Sequence, residues 1–78
     1  MTLEIISPSE IMFKGEVTSV NLPGVMGGFT VLKDHASLLS VLKEGDIRYV
    51  SASAGEKNIH IKGGIADVDQ NVISVCVY

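Results

Sequence analysis

Apolar residues in this chain recur at the two-residue spacing of strands, punctuated by Gly, Pro, Asn and Asp. Lys57 to Lys62 alternates cleanly, with Ile59 and Ile61 on one side and His60 and Lys62 on the other. Successive side chains of a strand point to opposite faces, so this pattern predicts one buried and one solvated face. Val72 to Tyr78 is the strongest such segment: Ile73, Val75 and Val77 share a face, and Ser74 and Cys76 the other. Ile65 to Asp69 sets Ala66 and Val68 opposite Ile65, and Asp46 to Val50 puts Ile47 and Tyr49 together. Leu3 to Ile6 opens the chain and Pro8 stops it. Glu10 to Phe13 reads as a separate strand, ended by a break at Lys14-Gly15. In Glu16 to Leu22, Val17 and Val20 fall on opposite faces, which calls for a bulge or for burial on both sides. Phe29 to Leu32 begins another strand. Ala36 to Leu42 is ambiguous, because Leu38, Leu39, Val41 and Leu42 also suit a helix and the run is too short for periodicity to decide. Its neighbourhood of short strands favours strand.

The punctuation fits the same picture. Pro23-Gly24 suits a type II turn, since proline presets the first central residue and glycine accepts positive φ at the second. Gly27-Gly28 lengthens that loop. Glu44-Gly45 and Asp69-Gln70-Asn71 read as turns, Ser51 to Glu56 as a hairpin loop, and Gly63-Gly64 as a bulge or a close backbone approach. The expectation is one all-β domain over residues 1–78, a small antiparallel β-sandwich of about eight to ten short strands. The apolar last strand, if unpaired, would invite self-association.

Composition narrows the function. A chain of 78 residues has room for one domain, and one this small buries only about 60% of the surface of its unfolded form. Cys76 is the only cysteine, so neither an intrachain disulfide nor a cysteine zinc site can staple it. Docking on a partner is the remaining common source of stability. Net charge is −3, with both signs scattered, and there is no basic stripe of the kind that nucleic-acid binding requires. The apolar-leaning run from Val17 to Leu32 is broken by Pro23, Gly24, Gly27 and Gly28, so no direct membrane insertion is expected. Met1 to Ser7 lacks the basic start and apolar stretch of a signal peptide.

Catalytic constellations are not legible. The loop Gly24-Val25-Met26-Gly27-Gly28 is glycine-rich, but no Gly-Lys-Ser/Thr follows and no helix opens behind it, so it reads poorly as a phosphate loop. Asp67 and Asp69 share a face and read as a solvated strand end. His35 and His60 stand far apart without metal-ligand spacing, and His60 reads as facing water. Cys76 has no basic neighbour to lower its pKa. No catalytic residue, cofactor or metal is expected.

Two segments carry a resemblance. Gly27-Gly28-Phe29-Thr30-Val31-Leu32-Lys33-Asp34-His35-Ala36-Ser37-Leu38-Leu39, followed by Leu42-Lys43-Glu44-Gly45, and then Gly63-Gly64-Ile65-Ala66-Asp67-Val68, resemble the sandwich domain of the epsilon subunit of F-type ATP synthases. The opening fits too, through Ser7-Pro8, Phe13-Lys14-Gly15-Glu16-Val17 and Leu22-Pro23-Gly24. The match runs from about Leu3 to the end, and the His-Ala-x-Leu-Leu core with both flanks is its specific part. Thr30 replaces a usual glycine, Lys33-Asp34 replaces Pro-Gly, and Ser37 replaces proline. Gly28 stands where the family often has an acid facing the ring of membrane subunits, which leaves Val25-Met26 as the loop tip.

The resemblance implies a non-catalytic rotor subunit of the central stalk. Such a subunit couples rotation of the membrane c-ring to the gamma shaft during proton-driven ATP synthesis, at the cytoplasmic face of the bacterial plasma membrane. It implies contact of Val25, Met26, Gly27 and Gly28 with the polar loops of the c-ring, and of Ser7 and His35 with the gamma subunit. Each has a plainer reading: an ordinary long loop for the first four, and a histidine bonded to loop backbone for His35. Most members continue into a helical hairpin that inhibits hydrolysis and in some binds ATP; Tyr78 stands about where that hairpin would begin, as either a natural short end or a cut, and if the end is natural both functions are expected to be lacking. The alternative is a free-standing β-sandwich ligand-binding module, for which the four aromatic residues are few.

Overall fold

A computed structural model describes all residues from Met1 to Tyr78. Eight strands follow one another without a helix: β1 (Thr2–Ile6), β2 (Ile11–Leu22), β3 (Phe29–Leu32), β4 (Leu38–Leu42), β5 (Gly45–Ser51), β6 (Gly55–Ile61), β7 (Gly64–Asp69) and β8 (Val72–Val77). Ala36 to Leu42 thus resolves as strand, with Leu38 to Leu42 paired to β7. One sheet runs β4-β7-β8-β1-β2 and the other β3-β2-β5-β6, with β2 shared between them.

Sharing explains the long β2. The expected break at Lys14-Gly15 does not occur: Lys14 pairs with Glu4 and Gly15 with Leu3, and the strand continues. A glycine weakens a strand because it has nothing to pack, but here the Phe13 ring lies over it, 3.2 Å from where a Cβ would stand. Phe13 also meets Tyr49 at a centroid distance of 4.4 Å. The register slips between Val17 and Ser19 against β5. This is the bulge that the Val17 and Val20 pattern called for, and it lets both side chains enter the core, 3% and 0% exposed.

Pairing is antiparallel everywhere except between β1 and β8, which run parallel over Thr2–Ile6 and Val72–Cys76. The small β-sandwich is as expected, and this one ladder departs from its antiparallel pairing. The reason is topological: the first and last strands are joined by no hairpin, so nothing local dictates their relative direction. The same ladder removes the condition under which Val72 to Tyr78 would invite self-association. β8 lies between β7 and β1, and its backbone groups are engaged on both sides.

The inner faces supply the core. Leu3, Ile5, Ala66, Val68, Ile73 and Val75 come from the first sheet, and Val20, Leu22, Val31, Ile47 and Tyr49 from the second. The turn after β7 is a two-residue hairpin loop. Gln70 and Asn71 both take positive φ, at 47° and 63°, as the right-handed twist of the flanking strands requires.

Candidate functional site

The loop between β2 and β3 is built differently from its sequence reading. Gly24 does not adopt the positive φ of a type II turn; in this loop only Gly27 does, at 123°. Pro23 instead centres a three-residue turn, in which the Gly24 N–H donates to the Leu22 carbonyl at 3.1 Å, a role its fixed φ suits. The tight turn is displaced to Gly24–Gly27, where the Gly27 N–H donates to the Gly24 carbonyl at 3.0 Å. Gly24 is buried, and a Cβ there would stand 2.7 Å from the Gly27 carbonyl oxygen and 3.0 Å from the Phe29 ring. Close packing, not turn geometry, therefore requires glycine at position 24. Gly28 has room for a side chain, since a Cβ there would make only an ordinary contact, 3.7 Å from the Leu22 carbonyl oxygen.

This loop is fastened to the edge of β4. The Val25 N–H donates to the Val41 carbonyl and the Lys43 N–H to the Pro23 carbonyl, each at 2.9 Å, and Gly24 bridges to Leu42. Val25 and Met26 project from that anchorage, 49% and 97% exposed. An apolar tip on a fixed base is what a protein contact needs, because little backbone order remains to be lost on binding.

Ser7 shapes the β1–β2 turn. Its N–H donates to the Glu10 carbonyl at 2.9 Å, and its hydroxyl accepts from the Glu10 N–H at 3.2 Å, a serine turn. His35 follows β3. Its Nδ1 lies 2.7 Å from the Ala36 carbonyl and its N–H donates to Leu32 at 3.1 Å. The loop-backbone bond considered for His35 is present.

Asp34, where the family pattern has glycine, takes a positive φ of 65°, which aspartate tolerates better than most residues. Asn71 holds it there by a reciprocal pair. The Asp34 N–H donates to Asn71 Oδ1 at 2.7 Å, and Asn71 Nδ2 donates to Asp34 Oδ1 at 2.9 Å. Nothing in the sequence signals this clasp, which joins residues 37 positions apart.

The candidate residues do not form one cluster. Ser7 follows Ile6, which lies in one cross-strand row with Cys76, Ile65 and Val41, so Ser7 and the Val25–Gly28 loop border the same end of the first sheet. His35 sits at the other end, where Asn71 also accepts from the Thr2 N–H. The five residues of β1 separate them by about 16 Å.

His60 is exposed, as alternation along Lys57 to Lys62 predicts, yet it has partners. Its Nδ1 lies 2.8 Å from Asp46 and its Nε2 3.2 Å from Glu44. The hydrogen bond to Asp46, and then that to Glu44, hold its pKa above the ordinary histidine value. Asp46 faces His60 across the β5–β6 ladder, a register that the separate strands do not reveal. Asp67 and Asp69 lie exposed as expected, with Asp69 Oδ1 accepting from Ser37 at 2.6 Å.

With this geometry in place, comparison with known proteins decides the family. The family model described as "ATP synthase, Delta/Epsilon chain, beta-sandwich domain" matches residues 1–78. The chain belongs to this family. An ATP synthase epsilon chain of Chlorobium limicola is 42% identical over 69 residues, which are 88% of this chain and 78% of that one. One from Campylobacter jejuni serotype O:2 is 44% identical over 75 residues, 96% of this chain but only 58% of the relative. Among solved structures, a chain of the Euglena gracilis mitochondrial ATP synthase (OSCP/F1/c-ring, rotational state 1) superposes with a TM-score of 0.87 at 22% identity. It covers 96% of this chain and 48% of its own length. A chain of the Tetrahymena thermophila mitochondrial ATP synthase central stalk and c-ring gives 0.80 at 15% identity, over 99% of this chain and 62% of that one. At these identities the structures establish a shared fold. They also support the sandwich expectation for this epsilon-type chain. No helix is long and apolar enough to cross a membrane.

Proposed function

We propose that this domain works in the central stalk of an F-type ATP synthase as a non-catalytic coupling piece. It joins the membrane c-ring to the gamma shaft, so that rotation driven by ion flow reaches the catalytic head. The observation that carries this reading is the family match over residues 1–78 together with the Chlorobium limicola epsilon chain, most of whose length this chain covers. The anchored β2–β3 loop supports the division of labour. Val25 and Met26 meet the polar loops of the ring through adaptable apolar side chains, and Gly27 and Gly28 admit close backbone approach. Ser7 and His35 border the surface that receives gamma. The subunit then sits peripherally, at the cytoplasmic face of a bacterial plasma membrane.

Calorimetric titration with the gamma subunit of the same ATP synthase tests this. One-to-one binding is expected. No binding at tens of micromolar, with both chains shown to be folded, would overturn the stalk role and leave a free-standing ligand-binding module as the better account.

A further inference from the structure

Glu44, Asp46 and His60 form a charged cluster at one end of the β5–β6 ladder, and nothing in the coupling role uses it. Asp46 faces His60 across that ladder, and Glu44 reaches it from the turn between β4 and β5. Both ring nitrogens therefore meet a carboxylate, Nδ1 at 2.8 Å from Asp46 and Nε2 at 3.2 Å from Glu44. Only an imidazolium carries a hydrogen on both nitrogens. The neutral ring has one, so one carboxylate must then confront a lone pair. Position decides which. Asp46 is held opposite His60 by strand register and makes the shorter bond, whereas Glu44 stands in the turn and makes the longer one. Loss of the proton therefore keeps Nδ1–H on Asp46 and releases Glu44.

The turn that contains Glu44 also carries the base of the β2–β3 loop. Lys43, on one side of Glu44, donates its N–H to the Pro23 carbonyl at 2.9 Å. Gly45, on the other side, packs so closely that a Cβ there would stand 2.9 Å from Pro23 Cβ. We propose that Glu44, His60 and Asp46 form a proton-operated latch, which ties β6 to the β4–β5 turn and so stiffens the base of the Val25–Gly28 loop. The latch is closed while the carboxylates are ionised and His60 is charged, and it opens as pH rises through the His60 pKa. The hydrogen bonds to Asp46 and then Glu44 raise that pKa, so opening comes above the pH at which an ordinary histidine titrates. Lys62, two residues along β6, opposes the charge on His60, and Glu10, from the β1–β2 turn, favours it. Both line an open depression of about 390 Å³ with His60 and Tyr78. Arg48, two residues beyond Asp46 on β5, is engaged by Glu56 at 4.0 Å. Under the stalk reading the stiffness of the ring contact follows proton concentration, but the latch itself does not depend on that reading.

Amide hydrogen exchange on the isotopically labelled chain tests the latch. Imidazole signals follow His60 directly, with His35, the only other histidine, as an internal reference. Protection factors of Val25 and Lys43, two N–H groups that fasten the loop, are measured from about pH 5.5 to about 8.5. They are expected to fall about two- to threefold across the His60 titration, an effect the size of an exposed ion pair. The Ala52 N–H, which donates to Glu16 beyond the far end of β5, should keep its protection. Glu44→Gln should abolish the fall, because a glutamine amide can meet either form of the ring, while His60 still titrates at a lower pH. The natural chain alone can refute the latch. No fall at Val25 and Lys43 overturns it, and so does an equal fall at Ala52, which marks a change not confined to the turn. A fall that persists in folded Glu44→Gln overturns it as well. None of these readings uses gamma, so failure of the latch leaves the stalk role standing, and absence of gamma binding leaves the latch.

Discussion

Gly24 and Gly28 look interchangeable in the sequence, yet the structure predicts opposite responses to alanine. At position 24 a methyl group would stand 2.7 Å from the Gly27 carbonyl oxygen and within 3.1 Å of two atoms of the Phe29 ring. The carbonyl belongs to backbone that closes the turn through the 3.0 Å bond between Gly27 and Gly24, so relief of the clash strains that bond. Overpacking of this kind costs ~1–3 kcal/mol, and a weakened hydrogen bond adds ~0.5–1.5 kcal/mol. The lower entropy of the unfolded alanine chain offsets ~0.4–1 kcal/mol. The net expectation for Gly24→Ala is a loss of about 0.5–4 kcal/mol, near 2 at the middle of these ranges, which in a domain of this size lowers Tm by about 8–16 °C. At position 28 the nearest atom lies 3.7 Å away and φ is not positive. Gly28→Ala therefore keeps only the unfolded-state term and gains ~0.4–1 kcal/mol. Urea denaturation followed by far-ultraviolet circular dichroism measures both. Equal effects, or a stable Gly24→Ala protein, would refute the close-packing account of the loop and with it the rigid base assigned to Val25 and Met26.

Two further outcomes follow from the hydrogen bonds. His60 has a raised pKa in the folded protein, so its link to Asp46 and Glu44 contributes stability below the unfolded value of about 6.5. That contribution is lost as pH rises through the folded pKa. The stability difference between the natural chain and His60→Gln should therefore be larger in mild acid than in alkali; a difference independent of pH would show that the contacts do not respond to the imidazole charge. Asn71→Gly keeps the positive φ but removes both bonds to Asp34, for a loss of ~1–2 kcal/mol. Asn71→Ala should lose about 1 kcal/mol more, because alanine resists that backbone region; identical urea midpoints for the two variants would contradict this division.

Strands β7 and β8 were legible residue by residue, because one of their faces is buried and the other is not: Ala66 and Val68, then Ile73, Val75 and Val77, lie inward as alternation demands. Where local and tertiary demands diverged, the sequence misled. Lys14-Gly15 has the composition of a break, but the Phe13 ring covers the glycine and β1 supplies its partners. Pro23-Gly24 has the composition of a type II turn, but the Phe29 ring and the edge of β4 set the path of that loop. Ser7, Val25, Met26 and His35 could be singled out through family resemblance; Asn71, and the pairing of His60 with Asp46, could not. Those contacts depend on residues distant in the chain.

The sequence by itself determined that the chain is all-β and which side of most strands is buried, because side-chain alternation is a local property of the backbone. It also marked the family, through the spacing of its His-Ala-x-Leu-Leu core and its glycine pairs. Only the tertiary structure decided that β1 and β8 run parallel, that β2 serves both sheets, and that Val41, Ile65, Cys76 and Ile6 align into one cross-strand row. Each of these is a matter of register between strands far apart in the chain, and register is fixed by which inner faces pack together, a quantity that no single segment contains.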